Sequence, residues 1–131
     1  MQLEALVVDT CIVSYLFKND TRAKRYEPIL SGKDLLISFM TVAEMYEWAI
    51  VHKWGKSRIL ELKLRLRNYA VIDYSEAIAW EWARIRAIKG HPMGMEDAWV
   101  AAVATRYSVP LVTHNRKDFD HIPDLEIITA M

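Results

Sequence analysis

Short apolar runs alternate with longer amphipathic stretches along the chain. Five runs read as strands: Ala5–Val8 (ALVV), Leu35–Ser38 (LLIS), Tyr69–Ile72 (YAVI), Pro110–Thr113 (PLVT) and Leu125–Thr129 (LEIIT). Most are near-continuous rather than alternating, as strands are when a parallel sheet is covered on both faces. Between them the apolar spacing lengthens to that of helices. One helix is expected from near Cys11, one over TVAEMYEWAIVHKW ending near Gly55, and one over SRILELKLRLRN. SEAIAWEWARIRAIKG reads as a helix closed by Gly90, and EDAWVAAVATRY as one ending before Pro110. Strands alternating with helices predict a doubly wound α/β fold with right-handed crossovers. No repeat, low-complexity tract or linker divides the chain, so residues 1–131 are expected to form one domain.

A chain of 131 residues can bury a real core without staples. Its apolar content of 53% is slightly above the globular average, which points to a well-covered sheet or a buried self-association face. The one cysteine, Cys11, has no internal partner, so a reducing, cytoplasmic setting is expected. No secretory pattern opens the chain, and no apolar run approaches the roughly 18 residues of a membrane span. The 17 basic and 17 acidic residues balance. Setting aside Asp9, Glu44, Asp97 and Asp118 leaves 13 acids, a remainder of +4, so net charge neither requires nor excludes a polyanionic partner.

Those four acids share one situation. Asp9 follows the first strand, Glu44 lies just beyond the second, and Asp118 comes shortly after the strand that carries Val112. Asp97 opens a helix rich in alanine (Ala98, Ala101, Ala102, Ala104), whose small face allows it to lie close on the sheet. Each acid also has a local explanation. Asp9 can cap the helix after it, Thr41 and Glu44 match the S/T-x-x-E capping box, and Asn115 can cap a helix with Asp118 at its third position. Asp97 suits the positive end of the helix dipole. The two roles are compatible. In a parallel sheet the strand ends share one edge, where ligands gather. Carboxylates crowded there repel and their pKa values rise unless a cation intervenes, and hard divalent cations prefer oxygen ligands.

Other residues carry less. Glu96 reads as a first-turn dipole residue and Asp73 as a cap or turn before a helix. His91, His114 and His121 lack metal-ligand spacing and read as surface residues, although His114 adjoins the acids. Cys11 reads as a packed small side chain, and the five tryptophans, the Trp80 and Trp82 pair included, as core or interface residues.

In order along the chain, VVDTCIVSYL, ISFMTVAEM and GHPMGMEDAWVAAVATRYSVPLVTHNRKDF resemble the motifs of the PIN-domain ribonucleases, in particular the VapC-type toxins of toxin–antitoxin pairs. The resemblance runs nearly end to end. It implies an α/β/α sandwich around a five-stranded, largely parallel sheet, in agreement with the strand count. It implies that Asp9, Glu44, Asp97 and Asp118 form an acidic site, with Thr113 and Asn115 as supporting polar groups. Asp9 and Asp97 would be direct ligands of Mg²⁺, for which Mn²⁺ substitutes, and Glu44 and Asp118 would act through water or a second metal. It further implies hydrolysis of RNA phosphodiester bonds, a homodimer, and an antitoxin partner that covers the cleft. Cys11 stands where Asn or Ser is more usual, and Trp99-Val100 where a small or aliphatic pair is commoner.

Other functions remain open at this stage. A PIN nuclease of RNA processing, or a PIN domain acting through protein contacts, would share these motifs. A receiver-like phosphoacceptor domain would need an acidic cluster after the first strand and a Lys after the last. Here Asp9 stands alone and no Lys follows Thr129. A dimer face is expected on YEPILSG and WGKSRILELKL.

Overall fold

The computed structural model describes residues 4–130. The elements run β1 (Ala5–Val8), α1 (Thr10–Lys18), α2 (Ala23–Leu30), β2 (Asp34–Ser38), α3 (Phe39–Val51), α4 (Lys56–Leu66), β3 (Ala70–Ile72), α5 (Glu76–Arg86), α6 (Met95–Tyr107), β4 (Leu111–Val112) and β5 (Ile127–Ile128), with a one-turn 3-10 helix at Arg116–Asp118. The sheet order is β3-β2-β1-β4-β5 and every pairing is parallel. All five expected strands are present. β4 and β5 are two residues each, shorter than their apolar runs, because the flanking backbone bonds one-sidedly: Val7 N–H donates to the Pro110 carbonyl and Thr113 N–H to that of Ile128.

β1 lies at the centre, and its side chains alternate between two cores, as strand geometry requires. Leu6 and Val8 face the core built with α1 to α4, where Ile12, Tyr26, Ile37 and Leu62 are fully buried. Val7 faces the core built with α5 and α6, beside Ile85, Leu111 and Phe119. The result is helices on both faces of a parallel sheet. Against this layer α6 presents Ala98, Ala101, Ala102 and Ala104, each at most 1% exposed, so its backbone lies close over the sheet.

Several local expectations need correction. α2 was not foreseen: it is short and carries Pro28 inside it, with Lys24, Arg25 and Glu27 interrupting its apolar positions, yet Ala23, Tyr26 and Leu30 bury one face. α5 ends at Arg86 with Ala87 as its cap, and Gly90 instead takes φ 81 in the loop beyond. The cap at the start of α5 is Ser75, which accepts from the Ile78 amide, rather than Asp73. His114 is not a simple surface residue, since its Nδ1 lies 2.7 Å from the Tyr26 hydroxyl. Trp80 is 71% exposed and belongs to neither core. Tyr26 and Leu30 of YEPILSG are buried within the subunit and cannot form a dimer face. No helix among the described residues is long and apolar enough to cross a membrane.

The close seat of α6 has a measurable consequence. Ala101→Leu adds volume where no space exists and is expected to lower stability by about 1–3 kcal/mol. Trp80→Ala, on the exposed face of α5, is expected to stay within about 0.5 kcal/mol of the parent. Urea unfolding followed by circular dichroism distinguishes the two.

Candidate active site

From β1 the chain moves outward to β2 and β3, then returns to place β4 on the other side of β1. Open α/β sheets leave a crevice at the carboxyl ends of the strands where the order reverses in this way. Asp9 leaves β1 at that crevice and Thr113 leaves β4, and the Asp9 amide donates to the Val112 carbonyl at 3.0 Å.

Asp9 is the N-cap of α1, with its Oδ1 accepting from the Thr10 amide at 2.8 Å. Its Oδ2 accepts from the Thr113 hydroxyl at 2.7 Å and from the Cys11 thiol at 3.4 Å. The residue is 4% exposed. Burial raises its pKa above the ordinary carboxylate range; the bonds from Thr113, Cys11 and Thr10 pull it back, and the charge of Asp118 adds to the rise. Thr113 is itself fixed. Its carbonyl accepts from the Thr129 hydroxyl at 2.8 Å and its Oγ1 from the Asn115 amide at 3.0 Å. Asn115 therefore supports the site through its backbone, and its side chain makes no capping bond to the 3-10 turn.

Glu44 reaches the crevice by a different route from the one expected. Ser38 at the end of β2 caps α3 by accepting from the Met40 amide, so Thr41 falls in the first turn and Glu44 in the second. The capping box of Thr41 and Glu44 is not formed. Both residues turn instead to α1: the Thr10 hydroxyl donates to Glu44 Oε1 at 2.8 Å, and Thr41 Oγ1 lies 2.9 Å from Thr10 Oγ1. A hydroxyl has one hydrogen, so with that of Thr10 directed at Glu44, Thr41 must donate to Thr10. Burial raises the Glu44 pKa, Thr10 lowers it, and the charges of Glu96, Asp9 and Glu47 raise it further.

Asp97 is the third residue of α6, whose N-cap, Gly94, supplies no side-chain bond. Its pKa is pushed up to about 6, by burial first and then by the charges of Asp9, Asp118, Glu44 and Glu96. A helix N-terminus favours the ionised form, so here burial and crowding outweigh the dipole. Asp118 closes the 3-10 turn and is exposed. The four acids expected from the sequence thus act on one another, with Asp97 feeling the other three. Thr10 and Thr41, which link α1 to α3, were not assigned to the site from the sequence; the position of Thr10 directly after Asp9 was the available signal. Cys11 contributes its weak bond to Asp9, and burial next to that carboxylate pushes its thiol up to about 12.

Among the described residues no three His, Cys, Asp or Glu side chains converge closely enough to hold a metal ion as they stand. An open, all-oxygen set suits Mg²⁺, which takes one or two carboxylates and keeps several waters. It does not suit structural zinc, which requires four ligands rich in sulfur and nitrogen. The raised carboxylates supply the chemical fit, because a cation would offset both the burial and the mutual repulsion that raise them.

A crevice lined by acids at the switch point of a parallel sheet is a place where a cation and an anionic ligand can meet. Residues 6–125 match the PIN domain. The chain is 32% identical over 125 residues to Ribonuclease VapC1 of Haemophilus influenzae, covering 92% of this chain and 93% of that protein. The solved structure of VapBC-1 from nontypeable Haemophilus influenzae aligns with a TM-score of 0.79 at 30% identity, over 95% of this chain and 97% of the other. A toxin–antitoxin complex from Klebsiella pneumoniae aligns with a TM-score of 0.77 at 25% identity, over 95% and 96%. The chain belongs to the PIN-domain family and, within it, to the VapC ribonucleases.

The raised acids make a signed prediction about pH. A carboxyl whose pKa is higher folded than unfolded binds its proton more tightly in the native state, so stability falls as pH rises from the unfolded value of 3.8 through the folded value of about 6 for Asp97. Asp97→Asn removes that penalty. In metal-free buffer the variant is expected to melt above wild type at pH 7.5, with the gap closing toward pH 4. A variant that melts below wild type at both pH values would show that the helix dipole dominates instead.

Proposed function

We infer that the chain is an endoribonuclease that hydrolyses RNA phosphodiester bonds with a bound divalent cation, Mg²⁺ or Mn²⁺, and that it is the toxin of a toxin–antitoxin pair. The observation that carries the reading is the mutual action of Asp9, Glu44, Asp97 and Asp118 at one sheet edge, in a chain whose relative is named a ribonuclease over nearly its full length. Asp9 and Asp97 would hold the cation. When bound, it would lower the pKa of a water and offset charge growing on the phosphate. The protein's own part is orientation. Thr113, Thr10 and Cys11 fix both oxygens of Asp9, and Thr10 aims Glu44, which with Asp118 holds water at the crevice.

Two partners fit the surface. An apolar groove of about 420 Å³ runs from Thr10 and Glu44 along α1 and α3 to Trp48 and Val51. An antitoxin segment laid there would cover Glu44, and the Klebsiella pneumoniae relative is a toxin–antitoxin complex. A second copy of this chain fits α4, where Leu60 and Leu64, one turn apart, are 57% and 50% exposed. Replacing both by Glu is expected to convert a dimer to monomer in sedimentation at micromolar concentration; a parent that is already monomeric there removes this part of the reading.

The reaction is tested with purified protein, folded RNA and Mg²⁺. Asp9→Asn should lower cleavage by about a hundredfold or more, and Thr113→Val by about tenfold or more, as losses at a metal site and its supporting shell do. EDTA should abolish cleavage. Mn²⁺ should raise the melting temperature of wild type and leave that of Asp97→Asn nearly unmoved. Cleavage that survives both Asp9→Asn and EDTA would mean that these acids do not run the reaction.

A further inference from the structure

We propose that the pocket behind Asp97 and Asp118 is a second phosphate subsite, which takes the phosphodiester adjacent to the scissile one in bound RNA. The RNA assignment rests on the ribonuclease reading above. The pocket encloses about 280 Å³ and is lined by the loop at Gly90–Gly94, by Asp97 and by the segment carrying Lys117, Asp118 and His121.

Three kinds of donor meet there. His91 and His121 stack with ring centroids 4.5 Å apart and planes 6° from parallel, and His121 Nε2 is buried with no hydrogen-bond partner. A buried polar atom without a partner is unfavourable unless a ligand or water meets it. Lys117 forms none of the ion pairs among the described residues, which are Arg22–Asp20, Lys33–Glu4 and Arg84–Glu81, so its ammonium is open to a ligand. α6 starts at Gly94 on the pocket wall without a side-chain cap, leaving first-turn amides unpaired at the positive end of a 13-residue helix. Gly90, at φ 81, takes a backbone conformation that other residues rarely adopt and leads directly into His91.

The crevice is therefore polar across its width. Asp97 and Asp118 line the same pocket as Lys117, the two imidazoles and the start of α6. The acids suit a cation and the donors suit an anion. RNA carries one phosphate per nucleotide, so a strand crossing Asp97 and Asp118 delivers its next phosphate to these donors.

The test uses the full chain in metal-free buffer, with histidine side-chain resonances followed by NMR during titration with inorganic phosphate. His91 and His121 should shift saturably while the exposed His52, at the C-terminal cap of α3, does not. Lys117→Ala, at an exposed position that leaves the fold intact, should weaken that binding by about tenfold, the effect of losing one hydrogen bond to a charged group. In RNA cleavage the same variant should raise KM about tenfold with a much smaller change in kcat. Resonances that do not move with phosphate, that move equally in Lys117→Ala, or that move instead with adenosine would overturn the subsite while wild-type cleavage keeps the ribonuclease reading. A wild type that binds phosphate here yet leaves RNA intact would overturn the ribonuclease reading and the RNA assignment with it.

Discussion

A carboxylate buried at the end of the central strand constrains everything around it. Asp9 is 4% exposed, and a buried charge is tolerated only where hydrogen bonds replace its lost water. The three donors come from two places in the chain: the Thr10 amide and the Cys11 thiol in the first turn of α1, and the Thr113 hydroxyl at the end of β4. Since β1 and β4 are neighbours, the register of that pair, with Val8 opposite Val112, decides whether Thr113 reaches Asp9 at all. Slipping it by one residue would turn the hydroxyl to the opposite face of the sheet. The pairing of two short strands and the charge state of the site are in this sense one fact.

The second strut is the hydroxyl relay from Thr41 through Thr10 to Glu44. It joins α1 to α3 across the crevice and does for Glu44 what Thr113 does for Asp9. Asp97 has no such strut. Burial first, and then the charges of the other acids, push its pKa up to about 6.

Much of this was legible in the sequence. Near-continuous apolar runs alternating with helical spacing fixed an α/β fold of five parallel strands, because a strand covered on both faces cannot alternate. The acids were legible for the same reason: each follows a strand end or opens the small-residue helix, and parallel strands end together. What escaped was local competition. Thr41 and Glu44 spell a capping box, but Ser38 lies three residues earlier and took the cap, which freed both for α1. α2 was hidden by Pro28, although Ala23, Tyr26 and Leu30 carry the i, i+3, i+7 spacing of a buried face. Thr10 was given no role from the sequence, since its partner Glu44 lies 34 positions away and no local pattern could name it.

Cys11 carries a consequence for anyone who handles the protein. With its thiol pushed up to about 12 by burial beside Asp9, almost none of it is thiolate near neutrality. Alkylating reagents and mild oxidants act on the thiolate, so this sulfur is slow toward both. A cysteine introduced at an exposed position such as Trp80 would then take a maleimide dye or spin label almost alone. The native residue need not be removed first, and its bond to Asp9 stays in place while distances are measured.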